Sequence, residues 1–194
     1  MENELLKKQE NLRFRLKELE TVAVAFSGGV DSAFLLHEAH AVLGKKAVAV
    51  TMKLDSLPFR EWKDAKEFCE RRHIRQMIVE QDQFRIKGFA ENEKDRCYHC
   101  KYFLFSFLKE LAKKNHISYV ADGTNFSDTG GYRPGLKALA ELGVVSPLRE
   151  AELTKEEIRV LSEKENLPGD TVSLWRTDHR EKAAPCGNGG AVSF

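Results

Sequence analysis

The chain has almost no net charge, with 31 lysines and arginines against 30 aspartates and glutamates. A protein that grips a nucleic-acid backbone draws on a basic excess to displace counterions, so no nucleic-acid partner is expected. Long hydrophobic runs are also missing: nothing approaches the ~18 apolar residues that cross a bilayer, and the N-terminus MENELLKKQENLRFRLKELE has no signal-peptide core. A cytoplasmic location without a membrane partner is the expectation. Cysteine is scarce, at Cys69, Cys97, Cys100 and Cys186. In a reducing compartment these are expected to be thiols, metal ligands or reactants rather than structural disulfides. No repeat is visible at any period. With 194 residues, 42% hydrophobic and 31% charged, the chain reads as one globular unit able to bury one core.

What is present is an alternation of helical and strand patterns. Leu5, Leu6, Leu12, Phe14, Leu16 and Leu19 recur among Lys and Glu over residues 2–20, which predicts a leading helix with one apolar stripe. Thr21 to Phe26 is a continuous apolar run, the pattern of a strand covered on both faces of a parallel sheet. A helix from Ser32 to Leu43 ending at Gly44, and a second buried strand from Lys46 to Thr51, complete a βαβ unit. Further along, a helix opened by Pro58 runs to Arg72, a strand covers 74–80, a helix 102–115 and a strand 117–121. A polar loop over 123–132 leads to a short helix near 136–142, a brief strand at Val144-Val145, and a helix whose Thr154 and Glu157 fit a capping box. The fold class predicted is α/β, a doubly wound, mostly parallel sheet that binds ligands beyond the carboxyl ends of its strands. Residues 1–20 form the leading helix, 21–168 the domain, and 169–194 a Gly-rich stretch without periodicity, expected to be a disordered tail.

The turn Ser27-Gly28-Gly29-Val30-Asp31-Ser32 stands at such a strand end. Two glycines let the backbone approach an anion, the first amides of the next helix point toward it, and the helix dipole adds a favourable field. Ser27 and Ser32 add hydroxyls. Asp31 would repel phosphate unless it caps the helix or holds a magnesium ion. A Gly-Gly turn can also be a plain connector. It matches neither the GxxxxGK[ST] loop nor the GxGxxG fingerprint.

SGGVDS after a buried strand resembles the signature of PP-loop ATP pyrophosphatases, the superfamily of NAD, GMP and asparagine synthetases and of tRNA thiolation enzymes. AVLGKKAVAVT, RCYHCK at 96–101, ADGTN at 121–125, YRPG at 132–135 and VSPL at 145–148 are similar to the LarE branch, the ATP-dependent sacrificial sulfur transferases of nickel-pincer cofactor synthesis. The resemblance runs from about Leu12 to Pro168. It implies a HUP-type nucleotide-binding domain that uses ATP and Mg2+ to adenylate a small-molecule carboxylate, a pyridinium dicarboxylate mononucleotide, with release of pyrophosphate. A protein cysteine then attacks, leaves its sulfur on the substrate and ends as dehydroalanine. Adenylation makes chemical sense, because a carboxylate is a poor electrophile until it carries a leaving group. On this resemblance Ser27, Gly28, Gly29, Asp31, Ser32, Thr51, Gly123, Thr124 and Asn125 face ATP, and Asp122 and Asp128 are candidate magnesium ligands. Asp122 and Asn125 read equally well as turn-closing residues. Arg133 has a planar fork suited to a phosphate or carboxylate, or is an exposed structural arginine beside Pro134.

Cys97-x-x-Cys100 fits half a zinc site, a redox pair or a helix-start packing element, and no second CxxC or paired His motif completes a tetrahedral site. His99, His73 and His116 read as surface or packing residues, Cys69 as core, and Trp62, Phe103, Phe105 and Phe107 as packing rather than base-stacking. LarE-like chains continue past the position of Pro168 to their sacrificial cysteine and a further subdomain. Here that continuation is replaced, so a truncated or altered C-terminus is expected, with Cys186 the candidate sulfur donor or a thiol without a role. Two other readings stay open: another adenylating PP-loop enzyme, amide-forming synthetase or RNA thiolase, and a non-catalytic ATP-binding module. A homo-oligomer is likewise left open.

Overall fold

A computed structural model describes residues 2–54, 59–81, 96–129 and 133–167. Four parallel strands form one sheet in the order β3-β2-β1-β4, with β1 at Val22–Ala25, β2 at Ala47–Leu54, β3 at Gln76–Gln81 and β4 at Tyr119–Ala121. The helices are α1 (Glu2–Leu19), α2 (Val30–Leu43), α3 (Phe59–Arg71), α4 (Arg96–Lys114), α5 (Pro134–Glu141), α6 (Pro147–Glu150) and α7 (Lys155–Lys164). The doubly wound α/β expectation is met. Structure begins and ends within a few residues of the predicted limits for most elements. The exceptions are α4, which starts at Arg96 rather than 102, β2, which gains three residues by pairing with β3, and α6, a single turn with no periodicity to reveal it. The brief strand expected at Val144-Val145 shrinks to one parallel bridge between Val145 and Ala121. Pro58, the side chain of Trp62 and the predicted tail at 169–194 lie outside the described residues.

Alternation along the strands builds two apolar layers. Val22 and Val24 of β1, with Ala47 and Ala49 of β2, face Leu12, Leu16 and Leu19 of α1 and Phe34, Leu35 and Leu36 of α2. Ala23, Val48 and Val50 face the other way, onto Phe105 and Leu108 of α4 and Leu139 of α5. This is why the strand sequences are apolar throughout instead of alternating. The leading helix belongs to the first layer: Leu12, Leu16 and Leu19 are fully buried, each removing side-chain area worth about 2 kcal/mol.

From β1 the chain steps outward through β2 to β3, then returns to place β4 on the other side of β1. The carboxyl ends of β1 and β4 therefore flank a topological switch point, where the outgoing segments diverge and leave a crevice. One contact sets its width. A Cβ on Gly123 would lie 3.1 Å from the Ser32 amide nitrogen and 3.3 Å from Ser32 Cα. The turn after β4 is thus seated against the first turn of α2.

A buried carboxylate fastens α1 to α2. Glu38 has no exposed surface, and it accepts hydrogen bonds from Gln9 Nε2 at 2.8 Å and from Arg13 Nε and Nη2 at 2.6 and 3.2 Å. Losing Arg13 would leave a buried charge with only an amide for compensation. We expect Arg13→Ala to cost about 3 kcal/mol. Arg15→Ala, which breaks the half-exposed pair with Glu150, should cost under about 1 kcal/mol. Urea denaturation of the two variants measures the contrast, and equal losses would contradict the assigned role of Glu38.

Candidate functional site

The segment after β1 folds as a receiver for an oxyanion. Gly28 adopts φ 81°, a conformation that a side chain would strain, and this turns the chain so that Gly29 can cap α2. No side chain caps the helix, so its first amides are left for a ligand or solvent. Ser32 Oγ donates to the Gly29 carbonyl at 2.9 Å and lies 3.2 Å from Ser27 Oγ, which also sits 3.4 Å from the Gly29 amide. The two serines thereby hold the shape of the turn as well as edging the site.

These residues open on a cleft of about 430 Å³. Nine of the residues singled out in the sequence line it: Ser27, Gly29, Asp31, Ser32, Thr51, Asp122, Gly123, Thr124 and Asp128. Asn125 is buried beside them, and Thr51 accepts a hydrogen bond from Gln76 Nε2 at 2.8 Å. The rest of the wall comes from positions to which the sequence assigned no part in the site, although Lys101 closes the RCYHCK segment. Phe26, Val50 and Met52 rise from the sheet, and Lys101, Leu104, Phe105 and Leu108 descend from one face of α4. Polar turn above, apolar wall below: the cleft has the character of a site for a flat ring joined to phosphates. Phe105, expected only to pack, does so and lines the cleft as well.

A second cavity, about 200 Å³, adjoins the first and shares Lys101, Thr124 and Asp128 with it. Arg133, Pro134, Gly135, Leu136 and Cys97 complete its lining. Arg133 thus stands away from the glycine turn, in the neighbouring chamber.

Three aspartates serve differently. Asp122 is buried at 4% exposure with both oxygens engaged, Oδ1 by Ser146 Oγ at 2.6 Å and Oδ2 by the Thr124 hydroxyl, with Lys101 Nζ at 3.6 Å. Such a carboxylate is a poor fit for the magnesium role assigned to it from the sequence. Asp31 fits better. Lys155 Nζ of α7 reaches its Oδ2 at 2.5 Å, whereas its buried Oδ1 has no hydrogen-bond partner. Burial pushes the Asp31 carboxyl above its ordinary range; Lys155 opposes this and Asp128 adds to it. An unpartnered carboxylate oxygen near a second cleft-lining carboxylate suits a magnesium ion that takes most of its shell from phosphates and water. Among the described residues no three His, Cys, Asp or Glu side chains cluster as a complete ligand set.

The cysteines separate by environment. Cys69 is core, its thiol pushed up to about 12 by burial, and Cys100 is half-buried and outside any disulfide. Cys97 is disulfide-bonded, against the expectation of a thiol, metal ligand or reactant. Cys186 lies outside the described residues.

No family model matches the chain. Over 161 residues it is 38% identical to an uncharacterized protein of Synechocystis, covering 83% of this chain and 60% of that one. Over 164 residues it is 34% identical to the pyridinium-3,5-bisthiocarboxylic acid mononucleotide synthase of Lactiplantibacillus plantarum, covering 84% and 59%. It belongs to the PP-loop ATP pyrophosphatases, as a LarE-like member. The PP-loop is the turn at Ser27–Ser32, and the chain spans about 60% of the length of these relatives. The NMN synthetase of Francisella tularensis shares the PP-loop fold with a TM-score of 0.65 at 17% identity, over 84% of this chain and 71% of that one. No helix among the described residues is long and apolar enough to cross a membrane.

Two outcomes follow from the PP-loop geometry. Gly123→Ala forces the β4 turn away from α2, so we expect a stability loss of about 1–3 kcal/mol together with weakened binding of an ATP analogue. Asp31→Asn removes a buried charge. Because folding raises the Asp31 pKa, the protonated carboxyl group favours the folded state at acid pH, and that contribution is lost as pH climbs through the folded value. The variant should therefore match wild type near pH 3 and melt roughly 2 °C or more above it at pH 7. Calorimetry across that range checks this, and a variant less stable at pH 7 would contradict it.

Proposed function

We propose that this chain binds ATP in the cleft and uses it to adenylate a small-molecule carboxylate, with release of pyrophosphate, as the first half of a sulfur transfer. The observation that carries the reading is the uncapped helix start behind a positive-φ glycine, set over an apolar wall at the switch point. The acceptor we assign is the pyridinium dicarboxylate mononucleotide of nickel-pincer cofactor synthesis, on the strength of the likeness to the Lactiplantibacillus synthase.

In this reading the amides at the start of α2, with Ser27 and Ser32, hold the β- and γ-phosphates, where negative charge grows as pyrophosphate departs. Phe26, Val50, Met52 and Leu104 take the adenine face and exclude water. Asp31 and Asp128 are the residues for magnesium, which when bound neutralises the leaving group. A carboxylate oxygen of the acceptor attacks the α-phosphorus, the bond from that phosphorus to the β-bridging oxygen breaks, and no proton moves. In the second half, a cysteine thiolate displaces AMP from the acyl carbon. Loss of the cysteine Cα proton and cleavage of its Cβ–S bond then leave a thiocarboxylate and dehydroalanine. Cys186, in protein kept reduced, is the candidate for that thiol.

Wild-type protein given ATP, Mg2+ and the dinicotinate mononucleotide should release pyrophosphate and lose the mass of hydrogen sulfide in one turnover. Ser32→Ala should slow pyrophosphate release by about 10-fold or more. Cys186→Ser should keep the release and abolish the mass loss. Intact-protein mass spectrometry reads the second step: substrate converted by a chain of unchanged mass would defeat the sulfur transfer. Absence of pyrophosphate release with every carboxylate tried would defeat adenylation too.

A further inference from the structure

Lys101 occupies a position that neither the glycine turn nor the CxxC pattern called for. It is one of three residues that line both cavities, and the only one of the three with a positive charge. Its side chain is held from two sides. On one, Nζ lies 3.6 Å from Asp122 Oδ2. On the other, the stem runs over Gly135 of α5, where a Cβ would come within 2.9 Å of Lys101 Cδ and 3.4 Å of Cε. Asp122 is itself fixed: Ser146 Oγ, buried at 2% exposure, donates to its Oδ1 at 2.6 Å, and the Thr124 hydroxyl donates to its Oδ2. A flexible four-carbon amine loses rotamer freedom at a cost, and here four residues from three segments are arranged to restrain one.

Such a placement answers a definite chemical need. In an adenylation the anionic carboxylate must come against an anionic α-phosphate, and two like charges at reaction distance repel strongly in a cleft with apolar walls. A cation standing at the seam between the chambers relieves that repulsion for both partners. We propose that the smaller cavity receives the acid to be activated, and that Lys101, positioned by Ser146–Asp122 and by the bare backbone of Gly135, brings its carboxylate against the nucleotide. Lys101 is then the residue that touches the reacting oxygens, while Asp122, Ser146 and Gly135 are positioning residues. The bond changes are those of the adenylation above: the acid's oxygen joins the α-phosphorus, pyrophosphate leaves with the bridging oxygen, and the ammonium keeps its protons throughout. The inference rests on the adenylation reading and names its acceptor chamber.

Equilibrium binding separates the two, because it needs no turnover. Pyridine-3,5-dicarboxylate and a non-hydrolysable ATP analogue serve as probes, titrated separately and together by calorimetry. For wild type we expect both to bind. Lys101→Met should lose the acid by about 10-fold or more, a change of ~1.4 kcal/mol, and keep the ATP analogue within about threefold. Gly135→Ala is the sharper variant. It adds no charge, favours the helix it sits in and displaces only the lysine stem, so acid affinity should fall by about fivefold with an undiminished melting temperature. Ser146→Ala should weaken the acid by a similar factor, with recovery in Ser146→Thr. Unchanged acid affinity in Lys101→Met and Gly135→Ala would overturn the proposal while leaving ATP binding intact. Wild type that binds the analogue but no acid overturns the chamber alone, and wild type that binds neither overturns the adenylation reading along with it.

Discussion

The turn after β4 comes so close to α2 that one added methyl group at Gly123 would press on the backbone of Ser32. Nearly everything about the site follows from that approach. It requires β4 to lie next to β1, which places the divergence of the chain between them. It brings Asp122, Thr124 and Asp128 onto the edge of the cleft that opens on the uncapped start of α2. The main chain sets the distance between these two walls, so side-chain motion alone cannot widen the cleft.

Within that frame two carboxylates are treated in opposite ways. Asp122 is saturated, with every oxygen engaged and its charge spent on holding neighbours. Asp31 is left incomplete, with a lysine on one oxygen and nothing on the other. A buried polar atom without a partner is costly, and proteins keep such atoms where a ligand will complete them. The contrast separates a residue that builds the site from one that waits for an occupant. A list of acidic residues in the sequence makes no such distinction: Asp31, Asp122 and Asp128 all read there as possible magnesium ligands.

The parts of the fold visible in the sequence are those with strong local causes. VAVA and KAVAV could only be covered strands, Thr154 with Glu157 makes the capping box it spells, and SGGVDS takes the turn its glycines permit. What stayed hidden depends on assembly. Lys101, Leu104, Phe105 and Leu108 are ordinary helix residues until α4 is laid across the carboxyl end of β1, and spacing alone cannot say which face of a helix a cleft will claim. The start of α4 was hidden for a related reason: Cys97, Tyr98 and His99 have weak helix propensity, and the packing of α4 against α5 draws them into the first turns. The roles of Lys155 and of Ser146, the serine of VSPL, were hidden in the same way, because each is a polar residue whose partner lies on another segment.

The partners of α1 come from both near and far along the chain. Gln9 and Arg13 meet Glu38 of α2, 29 and 25 residues later, whereas Lys8 pairs with Glu157, 149 residues later, and Arg15 with Glu150, 135 residues later. Leu12, Leu16 and Leu19, which end up wholly inside, settle against β1 and α2, the segments that follow them directly. The polar rim of the same helix then reaches α6 and α7. One helix is thus a clasp between stretches remote in sequence: a protease that freed it would at once uncover the apolar face of α2 and take from Glu150 and Glu157 the cations that hold them.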